Sequence, residues 1–464
     1  MMYLKRLFSY DRELASYVED NGHKVTLFSL AAPIFLETML RSMMNTVNTL
    51  ILSRYTETAA GAIGTATTLL NFLMMLFATI STGVTVIIVQ NLGAGNHKRA
   101  GEAATLSVAF CGIASLLVGV AMSFFAPQLM ALMNLQGQQL TEAVEYFAIV
   151  CKFNVVSSLI TVLAAITRSY GKTRINFIIA VMMNGFNALF CAIVVFRPFE
   201  TPLHGITGVA TARVLAEVVA LIINILFVSK MHIGFDFRAV LRPKWELIRQ
   251  IFKFGIPSGV GSFSYSMSSI VTTAIVGSLG TMAITTKTYC STIAFYSTLV
   301  GSAMGQATSI LIGRNVGKGD MDRAYRLCLQ SLKVALACNA GFALVIMMLT
   351  GPLFRLFFDA SEEIIALARI VMVIDIVVEA ARAMNNVEDN ALRASGDVVF
   401  QAGVALTGCW CFSVLFSFIF VKMGLGLWGV WLAFAMDESI RALVYLGRWL
   451  SRKWTTKRII RDGV

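Results

Sequence analysis

Charged residues make up only 14% of this 464-residue chain, against 57% hydrophobic ones, and the mean hydropathy is +0.74. Soluble domains carry about a quarter charged residues, so the shortage excludes an ordinary soluble fold and leaves an integral membrane protein. Histidine is scarcer still: His23, His97, His204 and His232 all fall in expected loops or near the N-terminus. That placement supports neither a metal centre nor a histidine proton relay. The eight cysteines show no metal-ligand spacing, and Cys409 and Cys411, two apart on a helix, face different ways; all eight read as small buried hydrophobes. Period-two alternation is missing from the apolar runs, which rules out a transmembrane barrel, whereas seven prolines and 35 glycines suit bilayer helices. No Walker lysine–serine pattern follows Gly93–Gly95 or Gly317–Gly319, and no strand precedes them. They read as tight turns, and ATP bound to this chain is not an expected partner. The net charge of +12 comes without a compact basic domain, so nucleic acid is not expected either, while anionic lipid headgroups are. The leading segment is too polar and too long for a cleavable signal, and Tyr3, Leu4, Leu7 and Phe8 suggest an interfacial amphipathic stretch.

What the chain has in abundance is apolar sequence of spanning length. Twelve segments qualify, roughly at 28–53, 61–91, 103–126, 143–166, 175–196, 206–229, 250–279, 284–312, 329–350, 364–392, 399–421 and 426–447. Six fall in each half, and the halves repeat. Shifting residues 31–103 forward by 224 positions, without a gap, lays Pro33 on Pro257, Val47 on Val271, Thr49 on Thr273, Asn91-Leu92-Gly93 on Asn315-Val316-Gly317, and Arg99-Ala100 on Arg323-Ala324. A shift of 225 carries Arg168–Lys172 onto Arg393–Asp397, and one of 221 carries Glu217 onto Glu438. A repeat of half the protein is too long for a solenoid, and long duplications of apolar sequence build transporters from two bundles around a central site. The expected architecture is an all-α integral membrane protein of 12 transmembrane helices. An N-terminal six-helix bundle would cover 1–229, and a cytoplasmic linker with an interfacial helix near Trp245 would cover 230–249. A C-terminal bundle with a basic tail would cover 250–464. Lys and Arg outside the spans gather on the side of the termini, and the opposite side keeps only Arg54, Arg197, Arg355 and Lys422. The positive-inside rule then places both termini in the cytoplasm.

Ionisable groups inside spans cost roughly 2.5–3.5 kcal/mol each at a helix centre, so each needs a reason. In the first span Glu37, Arg41, Asn45 and Asn48 recur at intervals that share one helical face, and in the tenth Asp375, Glu379, Arg382 and Asn386 do the same. One reading makes Glu37–Arg41 and Glu379–Arg382 structural ion pairs. The other makes a carboxylate the titrating or cation-binding group and its polar neighbours the substrate contacts. Asp375 is the best candidate, because Arg382 lies two turns away and Glu379 is a like charge one turn away. Carboxylates so placed share a proton readily, which suits a proton carrier. Arg213 with Glu217, and Asp437 and Glu438 with Arg441, read first as structural pairs. Lys287 lines a cavity or snorkels to the interface, and Lys152 and Asn154 are further cavity candidates. Neither polar stripe has a counterpart in the other half: Glu37, Arg41 and Asn48 align with Gly261, Tyr265 and Thr272, and Asp375 and Glu379 with Val150 and Asn154.

At these residues the chain resembles the multidrug and toxic compound extrusion (MATE) transporters, within the multidrug/oligosaccharidyl-lipid/polysaccharide flippase superfamily, over nearly its whole length. The resemblance is carried by the Pro33 helix running into Val47-Asn48-Thr49, by Gln90–Gly95 and by Gly313–Asp320. The most specific stretch is Glu379…Arg382…Asn385…Leu392-Arg393-Ala394-Ser395-Gly396-Asp397. It implies two six-helix bundles related by a pseudo-two-fold axis along the membrane normal, a cleft that opens alternately to each side, and export of mostly cationic organic compounds driven by inward H⁺ or Na⁺. Two departures stand out. Many members carry an acidic residue where this chain has Asn48, and many Na⁺-coupled members carry a glutamate roughly where Tyr265 lies. Asp375, Glu379 and Glu37 remain as the coupling carboxylates, with a Na⁺ ion near Asp375 as the metal expectation. Arg41, Asn45, Asn48, Asn154, Tyr265, Lys287, Arg382 and Asn386 are expected to line the cleft. The expected protein is a monomeric antiporter of the cytoplasmic membrane that needs no cofactor and exports a small amphipathic organic compound. A lipid-linked saccharide flippase is the nearest alternative, and a receptor or intramembrane enzyme the distant one.

Overall fold

A computed structural model describes residues 11, 13–18, 24–53, 57–133, 135–196, 205–231, 233–236, 238–241 and 244–459, with backbone alone at 44–53, 57–60, 195–196 and 241. The expected amphipathic stretch at Tyr3–Phe8, and His23, His204 and His232, lie outside the described residues. A short antiparallel hairpin, β1 (Ser16–Val18) with β2 (Lys24–Thr26), precedes the helices and pairs Ser16 with Thr26. Every described residue after it lies in a helix or a connection.

The N-terminal repeat supplies α1 (Leu27–Ser53), α2 (Glu57–Gly93), α3 (His97–Phe124), α4 (Ala126–Leu132), α5 (Gly137–Lys152), α6 (Asn154–Ser169), α7 (Thr173–Phe196) and α8 (Gly205–Lys230). One turn, α9 (Arg238–Leu241), leads to the second repeat. That repeat contains α10 (Trp245–Gly277), α11 (Thr281–Lys318), α12 (Met321–Phe358), α13 (Glu362–Ser395), α14 (Val398–Thr407), α15 (Leu415–Lys422) and α16 (Gly426–Leu450). A π-helix, Gly408–Val414, joins α14 to α15, and a 3-10 turn, Lys453–Lys457, follows α16. Each expected span coincides with a helix or a broken helix. Among the described residues six helical stretches are long and apolar enough on their own to cross a bilayer. Of five others, α1, α13 and α16 carry charged groups within the span, whereas the middles of α10 and α11 are uncharged but rich in Ser, Thr and Gly. The expected single span at 143–166 is two helices, α5 and α6, bent by 51° at Phe153. The bend brings the Cys151 carbonyl against α3, where a Cβ on Gly119 would lie 2.4 Å from that oxygen.

The described chain forms two compact units. One comprises residues up to Phe35, Val89–Gly95 and Pro257 onward; the other comprises Leu36–Ile88 and Asn96–Ile256. Within the first, Leu27, Leu30, Ala31 and Ile34 of α1 share one apolar core with Ala303, Ala307, Ile310 and Leu311 of α11. Trp449 and Trp454 complete it, stacked 4.1 Å apart. In the other unit Val156, Ile160, Ile179, Met183 and Ala220 form the core of α6, α7 and α8.

The repeat meets itself inside the first unit. The end of α2 crosses the end of α11 so closely that a Cβ on Gly93 would lie 2.1 Å from the Arg314 carbonyl oxygen, and one on Gly317 2.0 Å from that of Gln90. Gly93 and Gly317 are counterparts under the shift of 224, and so are Gln90 and Arg314. The crossing is therefore two-fold symmetric, with Val89 against its own counterpart Gly313. Only residues without a side chain let helix backbones approach this far. Gln90 then binds across the crossing, its Nε2 donating to the Ala394 carbonyl at 2.7 Å and its Oε1 accepting from the Ile459 amide at 2.9 Å.

Candidate functional site

In the first unit α13 is packed along α11, α12 and α16, and its polar stripe is completed by side chains from all three. Asp375, 5% exposed, accepts a hydrogen bond from Trp431 Nε1 of α16 at 2.9 Å. One turn on, Glu379 is fully buried. Its carboxylate accepts from Thr298 Oγ1 of α11 at 3.1 Å and from Asn339 Nδ2 of α12 at 3.3 Å, and it pairs with Arg382 Nη1. Arg382 also reaches Glu438 Oε1 on α16 at 3.2 Å, so one guanidinium serves two carboxylates. Glu438 Oε2 accepts from Asn385 Nδ2 at 2.7 Å and from Arg441 Nη2 at 3.0 Å, and Arg441 closes a fork on Asp437 at 2.8 and 3.0 Å. The bidentate geometry is the strong form of such a pair. The expected Glu379–Arg382 pair is thus present, but as part of a network that joins α13 to α11, α12 and α16.

Charge balance in this network is uneven. Asp375, Glu379, Asp437 and Glu438 face only Arg382 and Arg441. Four carboxyl groups against two guanidiniums, all withdrawn from water, call for protons or a cation.

The other unit reverses that balance. Glu37, 2% exposed, has Oε1 3.5 Å from Arg41 Nε and Oε2 3.5 Å from Arg168 Nη1 of α6. Glu217 is held by Arg213 Nε at 3.1 Å and by the Ser157 hydroxyl, while Arg213 Nη1 donates to the Tyr146 hydroxyl at 3.0 Å. Two carboxylates here meet three guanidiniums, and Glu37 has two cations to itself.

The remaining sequence candidates are scattered. Tyr265, half-exposed on α10, lies within electrostatic reach of Arg382. Lys287 Nζ donates to Thr273 Oγ1 of α10 at 2.6 Å. Asn386 is wedged where α11 has Gly301 and Gly305; a Cβ on Gly305 would lie 2.3 Å from its carbonyl oxygen, and its Nδ2 is buried without a partner. Asn154 is buried at the α5–α6 bend and its Nδ2 donates to Ser158 Oγ at 3.3 Å, so it faces helix and not open space. The side chains of Asn45 and Asn48 lie outside the described residues. Sequence reasoning missed Trp431, Thr298 and Asn339, because hydroxyl, amide and indole groups in apolar spans give no periodic signal, and it marked Asn385 only as part of the family resemblance. It missed Arg168 as the second partner of Glu37, although the Arg168–Arg393 repeat had marked the position.

A family model described as MatE matches residues 33–193 and 257–419, two segments that begin at Pro33 and Pro257, the same register as the internal repeat. Among curated proteins the chain is similar to the uncharacterized transporter YisQ of Bacillus subtilis, 34% identical over 93% of this chain and 95% of that one. It is also similar to the probable multidrug resistance protein NorM of Thermotoga maritima, 24% identical over 94% of both chains. Among solved structures it resembles the outward-facing conformation of a multidrug resistance MATE family transporter of the MOP superfamily. The TM-score is 0.84 at 19% identity, over 92% of this chain and 95% of that one.

Proposed function

The chain belongs to the MatE family of multidrug-type transporters, and from that premise we propose a secondary active antiporter that exports amphipathic, cationic organic compounds in exchange for H⁺ or Na⁺ by alternating access. The observation that carries this reading is the carboxylate excess around Arg382 and Arg441. A site that must take up a positive charge to be neutral, sitting on long helices of a multi-pass membrane protein, is suited to a coupling ion. Asp375 is the coupling group in this proposal: its partner is a neutral indole, so it gains and loses a proton or a Na⁺ ion without breaking an ion pair. Glu379 and Arg382 tie α13 to α11, α12 and α16, so a change of charge at Asp375 acts on helices that already share one network. Glu37 serves a different role, since it lies between Arg41 and Arg168 and so links α1 to α6. Tyr265 and Lys287 are the proposed substrate contacts on the C-terminal repeat.

The two halves, 1–229 and 250–464 joined by 230–249, would act as six-helix bundles in the cytoplasmic membrane with both termini inside. No bound cofactor or ATP is required. One charge moving down about 100 mV supplies roughly 2.3 kcal/mol, and coupling requires ion and substrate to favour opposite access states. The test is efflux of ethidium, a lipophilic cation, from proteoliposomes with a pH gradient and a Na⁺ gradient imposed separately. Asp375→Asn should abolish gradient-driven efflux at matched insertion. Undiminished efflux in that variant, or movement of lipid-linked saccharide instead of ethidium in the native protein, would overturn the assignment.

A further inference from the structure

Two turns beyond Glu379 on the same helix lies a carboxyl group that the network does not use. Glu388 is fully buried, and both of its carboxyl oxygens lack a hydrogen-bond partner. Its neighbours along α13, Val387, Ala391 and Leu392, belong to the same apolar core as Leu327, Cys328 and Leu332 of α12. The level on α12 can be fixed. Asn339 meets Glu379, and α12 and α13 run antiparallel, so stepping back about 12 Å on α12 and forward about 13.5 Å on α13 brings Ser331 level with Glu388. The Ser331 hydroxyl is also fully buried and also without a partner.

Among the described residues no cation pairs with this group. On its own helix Asp389 and Arg393 are paired with each other at 2.6 Å. On α16 Asp437, Glu438 and Arg441 are paired among themselves and with Arg382, and the Tyr445 hydroxyl donates to the Gln401 carbonyl. From α12 the titratable group within electrostatic reach is the Cys328 thiol. From α11 Gly301 and Gly305 lie against Asn386 and Asn390, and Ala303, Met304 and Ala307 belong to the same apolar core as Val387 and Ala391. An ionised carboxylate stripped of water, donors and counter-charge is too costly to bury, so the group at this position is the carboxylic acid. A Na⁺ ion would need several oxygen ligands converging on it, and an apolar core does not supply them.

We propose that Glu388 is a proton-binding site, separate from the Asp375–Arg441 network, which holds H⁺ while this end of α13 is closed and releases it when the helices around it admit water. The proposal rests on the antiport reading and deepens it by naming H⁺ as an ion that α13 carries. The step is a protonation alone: the carboxylate and H⁺ give the buried acid, and opening returns both.

The experiment uses the full chain in lipid vesicles and has three readouts. Infrared spectra at neutral pH should show a protonated-carboxyl band that shifts in deuterated buffer, persists in Asp375→Asn and is lost in Glu388→Gln; a spectrum unchanged by Glu388→Gln would refute the site. Ethidium efflux driven by a pH gradient should fall about tenfold or more in Glu388→Gln, while ethidium exchange at equal pH, and efflux by Glu363→Gln, which alters an exposed acid in the first turn of α13, stay as in the native protein. Retained gradient-driven efflux in Glu388→Gln would make the group structural and sink the proposal. Glu388→Met, which removes an unsatisfied buried group at similar volume, should raise the thermal midpoint. A lowered midpoint would mean that the carboxylate is ionised and paired, contrary to the proposal. If the native protein moves no ethidium under either gradient, the antiport reading fails while the infrared arm still decides Glu388.

Discussion

Replacing Gly93 by Ala should damage the protein through a single carbonyl. The added Cβ would sit 2.1 Å from the Arg314 oxygen, and the same change at Gly317 would place one 2.0 Å from the Gln90 oxygen. Carbon needs roughly 3.5 Å from such an atom, so α2 and α11 must separate by about 1 Å or more, at an overpacking cost of about 1–3 kcal/mol. Because both substitutions load the same crossing, the first separation relieves most of the second clash. The double variant should therefore cost clearly less than the sum of the two, with an interaction energy of about 0.5–3 kcal/mol. Gly341 has open space around its Cβ position, and Gly341→Ala should be neutral or stabilising by about 0.5–1 kcal/mol because alanine favours helix. The assay is denaturant-induced unfolding of the purified full chain, read by tryptophan emission, with Gly93→Ala, Gly317→Ala, the double and Gly341→Ala compared. Strictly additive losses, or a Gly93→Ala variant as stable as Gly341→Ala, would refute the symmetric crossing.

Other consequences follow from the same contacts. Arg382→Met leaves Glu379 and Glu438 buried beside each other without their shared cation, and should lower unfolding stability by about 3–5 kcal/mol, most of it restored when both acids are also changed to Gln. Trp431→Phe keeps the ring but removes the donor to Asp375; a loss of about 1–3 kcal/mol should disappear in an Asp375→Leu background, which has no acceptor, and a loss that persists there would assign the effect to packing. Outside the membrane, the Leu14 and Glu13 amides donate to the Asp11 carboxylate and hold it below the ordinary carboxylate range. A depressed folded value means that the contribution to the N-terminal turn is present above the ordinary value and is lost as pH falls through the folded one. Protection of those two amides, measured against the intrinsic exchange rate at each pH, should fall as pH drops through the folded value in the native chain, and this step should be missing in Asp11→Asn.

The helices were legible because bilayer spans announce themselves by length and hydropathy, and the repeat was legible because gapless identities such as Pro33 with Pro257 survive in one chain. The ion pairs Glu37–Arg41 and Glu379–Arg382 were legible for a local reason: partners three or four residues apart share a helix face. The bend at Phe153 was not, since a continuous apolar run gives no sign of where two helices meet at 51°. Nor was the use of Gly93 and Gly317: their spacing suggested turns, and Gly95 and Gly319 do close the helices with positive φ, but Gly93 and Gly317 are needed for a backbone crossing.

The sequence by itself determined the class, the twelve apolar spans, the duplicated scaffold and the in-span charges, because these depend on composition and on neighbours along the chain. Tertiary structure alone decided the charge balance. Whether an in-span carboxylate is neutralised depends on residues tens or hundreds of positions away. Arg168 gives Glu37 a second cation, Arg382 is divided between Glu379 and Glu438, Asp375 receives only an indole, and Glu388 receives nothing. Electrostatic cost follows distance in space and exposure to water, and neither is written in the order of residues.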